Sequence, residues 1–229
     1  MITSRGWLRT AVAAATALVG LSAAPAPASA SAQATAPRAA PALYRALPEP
    51  PSVDVARSEL GELNVEAPHA MTGYSRAKFP HWITQHGQCD TREVVLQRDG
   101  QGVVQDDKCR SVEGTWYSEY DGRTFTSASQ LDIDHVVPLA AAWRAGADIW
   151  DTSKRKALAN DLVHSQLAAV SAASNRSKGD QTPDLWKPPL KSYWCTYSRA
   201  WVDVKHVYAL NVTEPEKAAL GEMLDTCNN

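Results

Sequence analysis

The first thirty residues constrain this chain more than any other stretch. Arg5 and Arg9 stand ahead of an apolar run, Ala11 to Leu21, and Ala28-Ser29-Ala30 supplies the small residues of a signal-peptidase site. Pro25 and Pro27 interrupt the run short of the roughly 20 residues a membrane span needs. The stretch therefore reads as a cleaved leader rather than an anchor, and the protein as secreted, with no membrane contact after cleavage. Export puts Cys89, Cys109, Cys195 and Cys227 in an oxidising compartment. Four cysteines allow three pairings, of which Cys89–Cys109 and Cys195–Cys227 are favoured because each closes a local segment. Neither pair has C-x-x-C spacing, which argues against zinc and thioredoxin-like readings. Two bridges cannot replace a hydrophobic core, so a packed domain must follow.

Residues 31–68 read as an Ala/Pro-rich disordered linker. Within them Val55, Leu60 and Leu63 have some helical spacing, but Gly61 and Asn64 weaken it, and the segment is placed outside the core. The folded domain is expected over residues 69–229. The spacing predicts a helix over Thr91–Arg98, strands over Gly102–Val112 and Thr115–Tyr120, and a turn at Asp121-Gly122 leading to Arg123–Phe125. Leu131–Val137 alternates like a strand closed by Pro138, and a short helix follows over Leu139–Ala145. A helix capped by Asp151 or Thr152 runs through Leu158 and Leu162. Leu167–Val170 reads as a strand, followed by a helix through Asn175 and Lys178 that Gly179 ends. Aromatic residues from Tyr193 to Tyr208 recur at spacings of three and four, an amphipathic helix. Thr213 and Glu216 form a capping box for the last one. The fold class is α+β.

The formal charge is −2, and −4 once Arg5 and Arg9 are removed, so no global basic field draws the chain to nucleic acid. Arg92, Lys154, Arg155, Lys156, Arg176 and Lys178 can still form a local patch. Seven tryptophans, Trp82 to Trp201, fall in the expected domain. Their rings suit either a core or base stacking.

The segment from Leu131 to Asp180 concentrates chemistry. Strand periodicity puts Asp132 and Asp134 on one face and His135 on the other. A helix puts Asn175 and Lys178 one turn apart. Hard oxygen donors from Asp134 and Asn175 suit Mg²⁺, with Mn²⁺ or Zn²⁺ as alternatives. A histidine beside them can take a proton from water near neutral pH. A lysine can neutralise charge developing on a phosphate. Together these are the parts of metal-assisted phosphodiester hydrolysis.

The spelling LDIDHVVPLAAAW…ANDL…LAAVSAASNRSKGDQTPDLWKPP, with Cys89-Asp90-Thr91-Arg92 upstream, resembles the HNH (ββα-metal, His-Me finger) nucleases. It is closest to secreted proteins related to the C-terminal domain of GmrSD restriction endonucleases. The resemblance covers about Gly87 to Cys227. It implies a ββα-metal core embedded in a disulfide-stapled mixed domain. In that core His135 is the general base, Asp134 and Asn175 hold one divalent metal, and Lys178 contacts the scissile phosphate. The middle motif position, which holds a loop and orients the base, falls on Gln166 or Asn160. Arg92, Arg176 and Lys178 are the candidate nucleic-acid contacts. The implied activity is endonucleolytic cleavage of DNA, with RNA as the alternative substrate. The rival reading is a secreted binding module that keeps the fold without the chemistry. Oligomeric state is not legible in the sequence.

Overall fold

Capping side chains set most helix starts in the computed structural model, which describes residues 47–228. Asp90 accepts from the Glu93 N–H, Asp151 from Lys154 N–H and Ser171 from Ser174 N–H, and Thr213 and Glu216 complete a capping box. Each satisfies donors that a helix start otherwise leaves unpaired. The helices are α1 (Val53–Glu62), α2 (Thr91–Asp99), α3 (Leu139–Arg144), α4 (Thr152–Ala159), α5 (Ala172–Lys178), α6 (Trp194–Val207) and α7 (Glu214–Leu224). The strands are β1 (Thr84–His86), β2 (Cys89–Asp90), β3 (Gly100–Gln105), β4 (Ser111–Ser118), β5 (Arg123–Phe125), β6 (Leu131–His135) and β7 (Leu167–Ser171). They pair antiparallel as β1-β2, β3-β4-β5 and β6-β7. The architecture is mixed α+β with two disulfides, Cys89–Cys109 and Cys195–Cys227. The expected leader, residues 1–30, and residues 31–46 lie outside the described residues.

Ordered structure begins before His69, which corrects the linker reading of residues 31–68 where they are described. Ser52 caps α1, and Ala56, Leu60 and Leu63 are buried where the helix meets α6 and α7. Arg57 pairs with Asp225 at 2.8 Å, and the Lys217 ammonium donates to the carbonyls of Gly61 and Leu63. Gly61 sits in the last turn, away from the mid-helix positions where glycine costs most, and packing rather than propensity holds the helix. Two smaller differences are local. The strand expected over Gly102–Val112 is two strands, because Asp106 Oδ1 accepts from the Lys108 and Arg110 N–H groups and turns the chain. The helix expected to reach Leu162 stops at Ala159, with Asn160 as its C-cap.

The β6-β7 pair divides the interior. Leu131, Ile133, Leu167 and Ala169 join α2, Trp116 and Phe125 in a smaller cluster. Ala168 and Val170 belong to the larger cluster under α6 and α7. Trp116 lies opposite Phe125 in the β4-β5 register and donates its indole N–H to the Leu96 carbonyl at 2.8 Å. Gly100 makes room for that ring, since a Cβ there would come within 2.4 Å of Trp116 Nε1. With both faces covered, Asp134 and His135 on β6 are buried and must find partners inside the protein.

Candidate active site

The helix α5 follows β7 without a loop and lies against the β6-β7 pair on the face that carries Asp132 and Asp134. Two residues along a strand advance about 6.7 Å and three along a helix about 4.5 Å, so two side-chain pairs can meet across the interface. Asn175 Nδ2 donates to Asp132 Oδ2 at 3.1 Å. The Lys178 ammonium lies 2.9 Å from Asp134 Oδ1 and 2.8 Å from Oδ2, and also donates to the His135 carbonyl at 2.9 Å. Gly179, at φ 56° and ψ −126°, takes a positive-φ conformation open chiefly to glycine and closes α5.

Asp134 is buried, and the Tyr120 hydroxyl donates to its Oδ2 at 2.6 Å. Burial pushes the Asp134 carboxyl up and the Lys178 ammonium down, and their mutual attraction opposes both shifts. With one ammonium hydrogen-bonded to both carboxylate oxygens, we describe them as an ion pair. Lys178 is fully buried, with its ammonium 6.0 Å from the centre of the Trp201 ring. This corrects the reading of Lys178 as a phosphate contact, because its donors are spent on Asp134 and the His135 carbonyl and no face of it reaches solvent.

His135 is buried beneath Trp82, whose ring stacks on it at 5.4 Å and 23°, and His81 meets it edge-on at 6.5 Å. His135 Nε2 lies 3.0 Å from the Ala159 carbonyl. A carbonyl only accepts, so Nε2 carries the proton and Nδ1 the lone pair. Burial holds the imidazole down to about 3, so it is neutral at pH 7. Trp82 itself has φ 57°, a strained conformation for a side chain of that size.

Both candidates for the middle position hold backbone in place. Gln166 is fully buried, with Oε1 accepting from the Val137 N–H and Nε2 donating to the Val137 carbonyl, each at 3.0 Å. It fixes the turn directly after β6. Asn160 accepts from Ile83 N–H and the Thr91 hydroxyl and donates to the carbonyls of Pro80 and Lys156. It ties the segment under Trp82 to α2 and α4, next to the carbonyl that receives His135. Neither side chain lines the cavity described below.

Asp134, His135 and Asn175 line one cavity of about 270 Å³, together with Arg176, Tyr74 and Arg76. Arg176 is exposed and sits 3.8 Å from Asp132. Arg92 does not join it, since its guanidinium donates to the carbonyls of Ala128 and Leu131 and clamps the entry to β6. The basic patch expected from Arg92, Lys154, Arg155, Lys156, Arg176 and Lys178 does not form at the cavity, where only Arg176 of the six is found. Arg155 is buried on the carbonyls of Lys78, Ala147 and Trp150. His164 is held by Asp161 at 2.7 Å and is structural. Tyr74, Arg76, Trp82 and Tyr120 were not legible as site residues, for they sit in no motif and meet the site only through the fold.

A model of the C-terminal domain of GmrSD restriction endonucleases matches residues 92–223. The chain belongs to that family. A member of this nuclease-related family therefore contains the cavity, while Tyr74, Arg76, His81 and Trp82 precede the matched span. An uncharacterized secreted protein of Arthroderma benhamiae is 55% identical over 189 residues, covering 82% of this chain and 93% of the relative. No solved structure matches. The chain is secreted, in keeping with that relative and with its two disulfides. Among the described residues no helix is long and apolar enough to cross a membrane.

The donor set can be tested against the cation that the HNH resemblance implies. Among the described residues no group of three or more His, Cys, Asp or Glu side chains could hold a metal, which is a poor match to a closed structural zinc site. Asn175 Oδ1 accepts no hydrogen bond among the described residues, and Asp134 Oδ1 accepts one, from Lys178. A carboxylate oxygen has room for a second partner. Two hard oxygens on one cavity fit a cation that keeps most of its waters, as Mg²⁺ does.

Proposed function

We propose that the protein is a secreted, metal-dependent endonuclease that hydrolyses phosphodiester bonds of DNA, with RNA as the alternative substrate. In this reading β6, β7 and α5 form the ββα-metal core of an HNH nuclease. The observation that carries it is the convergence of Asp134, His135 and Asn175 on one cavity, in a chain of a nuclease-related family. Asp134 and Asn175 would hold one divalent cation, which supplies Lewis-acid stabilisation of the phosphate when bound. His135 takes the proton of the attacking water on Nδ1, because Nε2–H is committed to the Ala159 carbonyl. Trp82 and the Ala159 carbonyl fix the ring before substrate arrives. Lys178 and Tyr120 orient the Asp134 carboxylate. Gln166 keeps the turn after His135 in place.

Nicking of supercoiled plasmid under Mg²⁺, Mn²⁺, Zn²⁺ and EDTA tests the reading. Cleavage should require a metal and fall roughly 10²–10⁴-fold in His135→Ala, the scale of general-base loss. Calorimetry should show metal binding kept in His135→Ala and weakened in Asn175→Ala. Wild-type nicking by both variants overturns the site. The second reading, a non-catalytic binding module, is favoured by one observation: Asp134 already has a buried ammonium as its counter-ion. An absence of nicking with every metal would select it.

A further inference from the structure

Arg76 is the charged residue that lines the cavity from outside the motif and the matched span. It opens a short 3₁₀ turn, Arg76–Lys78, pinned by an aromatic on each side. Phe79 is fully buried, and Tyr74 and Phe79 both pack on the Trp143 ring at 5.7 and 6.4 Å. The turn is therefore fixed although Arg76 itself is exposed. Its Nε donates to His81 Nε2 at 3.4 Å, and His81 Nδ1 is 2.8 Å from the Phe79 carbonyl. That arrangement fixes the His81 tautomer and aims the guanidinium plane. Its two terminal nitrogens have no acceptor, and it has no ion pair, among the described residues. It lines the cavity together with Asp134, His135 and Asn175. By contrast Arg176 has Asp132 within 3.8 Å, and Arg144 is neutralised by Asp180 at 2.6 Å.

We propose that Arg76 is a phosphate-binding residue of this site, placing its two terminal nitrogens on the non-bridging oxygens of a phosphodiester seated over His135 and Asn175. The inference rests on the nuclease reading and deepens it. A planar guanidinium with two parallel donors matches a phosphate bidentately, and an uncompensated one in a small cavity holds an anion more strongly than a paired surface arginine. The chain is acidic and lacks a basic stripe, so a single unpaired cation weighs heavily in where the backbone lands. The segment that carries it lies outside the span of the family match, 92–223, so the matched span alone lacks this wall of the site.

The test separates binding from cleavage. Fluorescence anisotropy of a labelled 12-nucleotide strand and a short duplex, in EDTA over a salt series, reports Arg76 without catalysis. Variants of the protein as secreted are Arg76→Gln, Arg76→Lys and, as a surface control, Arg123→Gln, each checked by circular dichroism. Arg76→Gln should weaken binding and lower the slope of log K against log salt by about one. Arg76→Lys should keep the slope and lose nicking by roughly 10- to 100-fold, the value of a lost bidentate contact. Arg123→Gln should match wild type in nicking. Unchanged affinity and slope in Arg76→Gln overturn the proposal even where the wild type nicks plasmid. Wild type that binds no oligonucleotide at low salt overturns it too. Wild type that binds with Arg76-dependent slope but never nicks supports Arg76 and removes the nuclease reading.

Discussion

Replacing Lys178 by methionine keeps the length of the side chain and removes the ammonium. In the structure that ammonium serves three acceptors, Asp134 Oδ1 and Oδ2 and the His135 carbonyl, all within 2.9 Å, and no part of it reaches solvent. The variant leaves a buried carboxylate with only the Tyr120 hydroxyl as partner. Breaking a buried pair from one side costs about 3–5 kcal/mol. For a domain of this size each kcal/mol moves Tm by about 2–4 °C, so a fall of roughly 6–20 °C is expected. Asp134→Asn in the same background removes the stranded charge and keeps an acceptor for Tyr120. The double variant should therefore be more stable than Lys178→Met alone, a coupling of the sign expected for contacting residues. Urea titrations followed by circular dichroism measure all three proteins. A loss below about 1 kcal/mol in Lys178→Met, or a double variant no better than the single, would refute the buried pair. Lys178 would then be free to face substrate.

Removal of the residues before Glu66 deletes α1, and burial of Leu60 and Leu63 alone implies a loss of about 3–6 kcal/mol, seen as a weaker or absent cooperative melt. Asp99 is buried and held at about 6 despite its contact with Arg98, so its folded value stands above the unfolded one. Its contribution is complete below pH 4 and is lost as pH rises through 6, and Asp99→Asn should gain on wild type by up to about 3 kcal/mol across that window; parallel pH profiles in urea would refute this. Gln166→Ala strands the Val137 N–H and carbonyl and should cost about 2–4 kcal/mol while lowering nicking, measured on the same samples. Cys195→Ser with Cys227→Ser should lower stability by about 2–4 kcal/mol, and an unchanged denaturation midpoint would count against a structural role for that bridge.

The elements that build the site were legible because their signals are local. Strand alternation over Leu131–His135 and Gly179 at the end of α5 lie within a few residues of what they determine. The convergence of Asp134, His135 and Asn175 came from the motif. What the motif could not say is which way Lys178 faces. That depends on Tyr120 and Trp201, which arrive from other elements and close the pocket around its ammonium. Arg92 misled for the same reason, since its acceptors are backbone carbonyls 36 and 39 residues away. Arg76 and Trp82 have no local pattern at all, and α1 has weak local propensity because its stability comes from packing on α6 and α7.

The contact between α1 and α7 brings a segment near the start of the described chain against one near its end. Arg57 meets Asp225, and Val65 bridges Val212 alongside. A domain whose ends are neighbours can be re-cut without being redesigned. A short polar linker could join them, and new ends could be opened near exposed Leu185 in the loop between α5 and α6. The order of the site residues along the polypeptide would change, with α6 and α7 now preceding β6, while their neighbours in space would not.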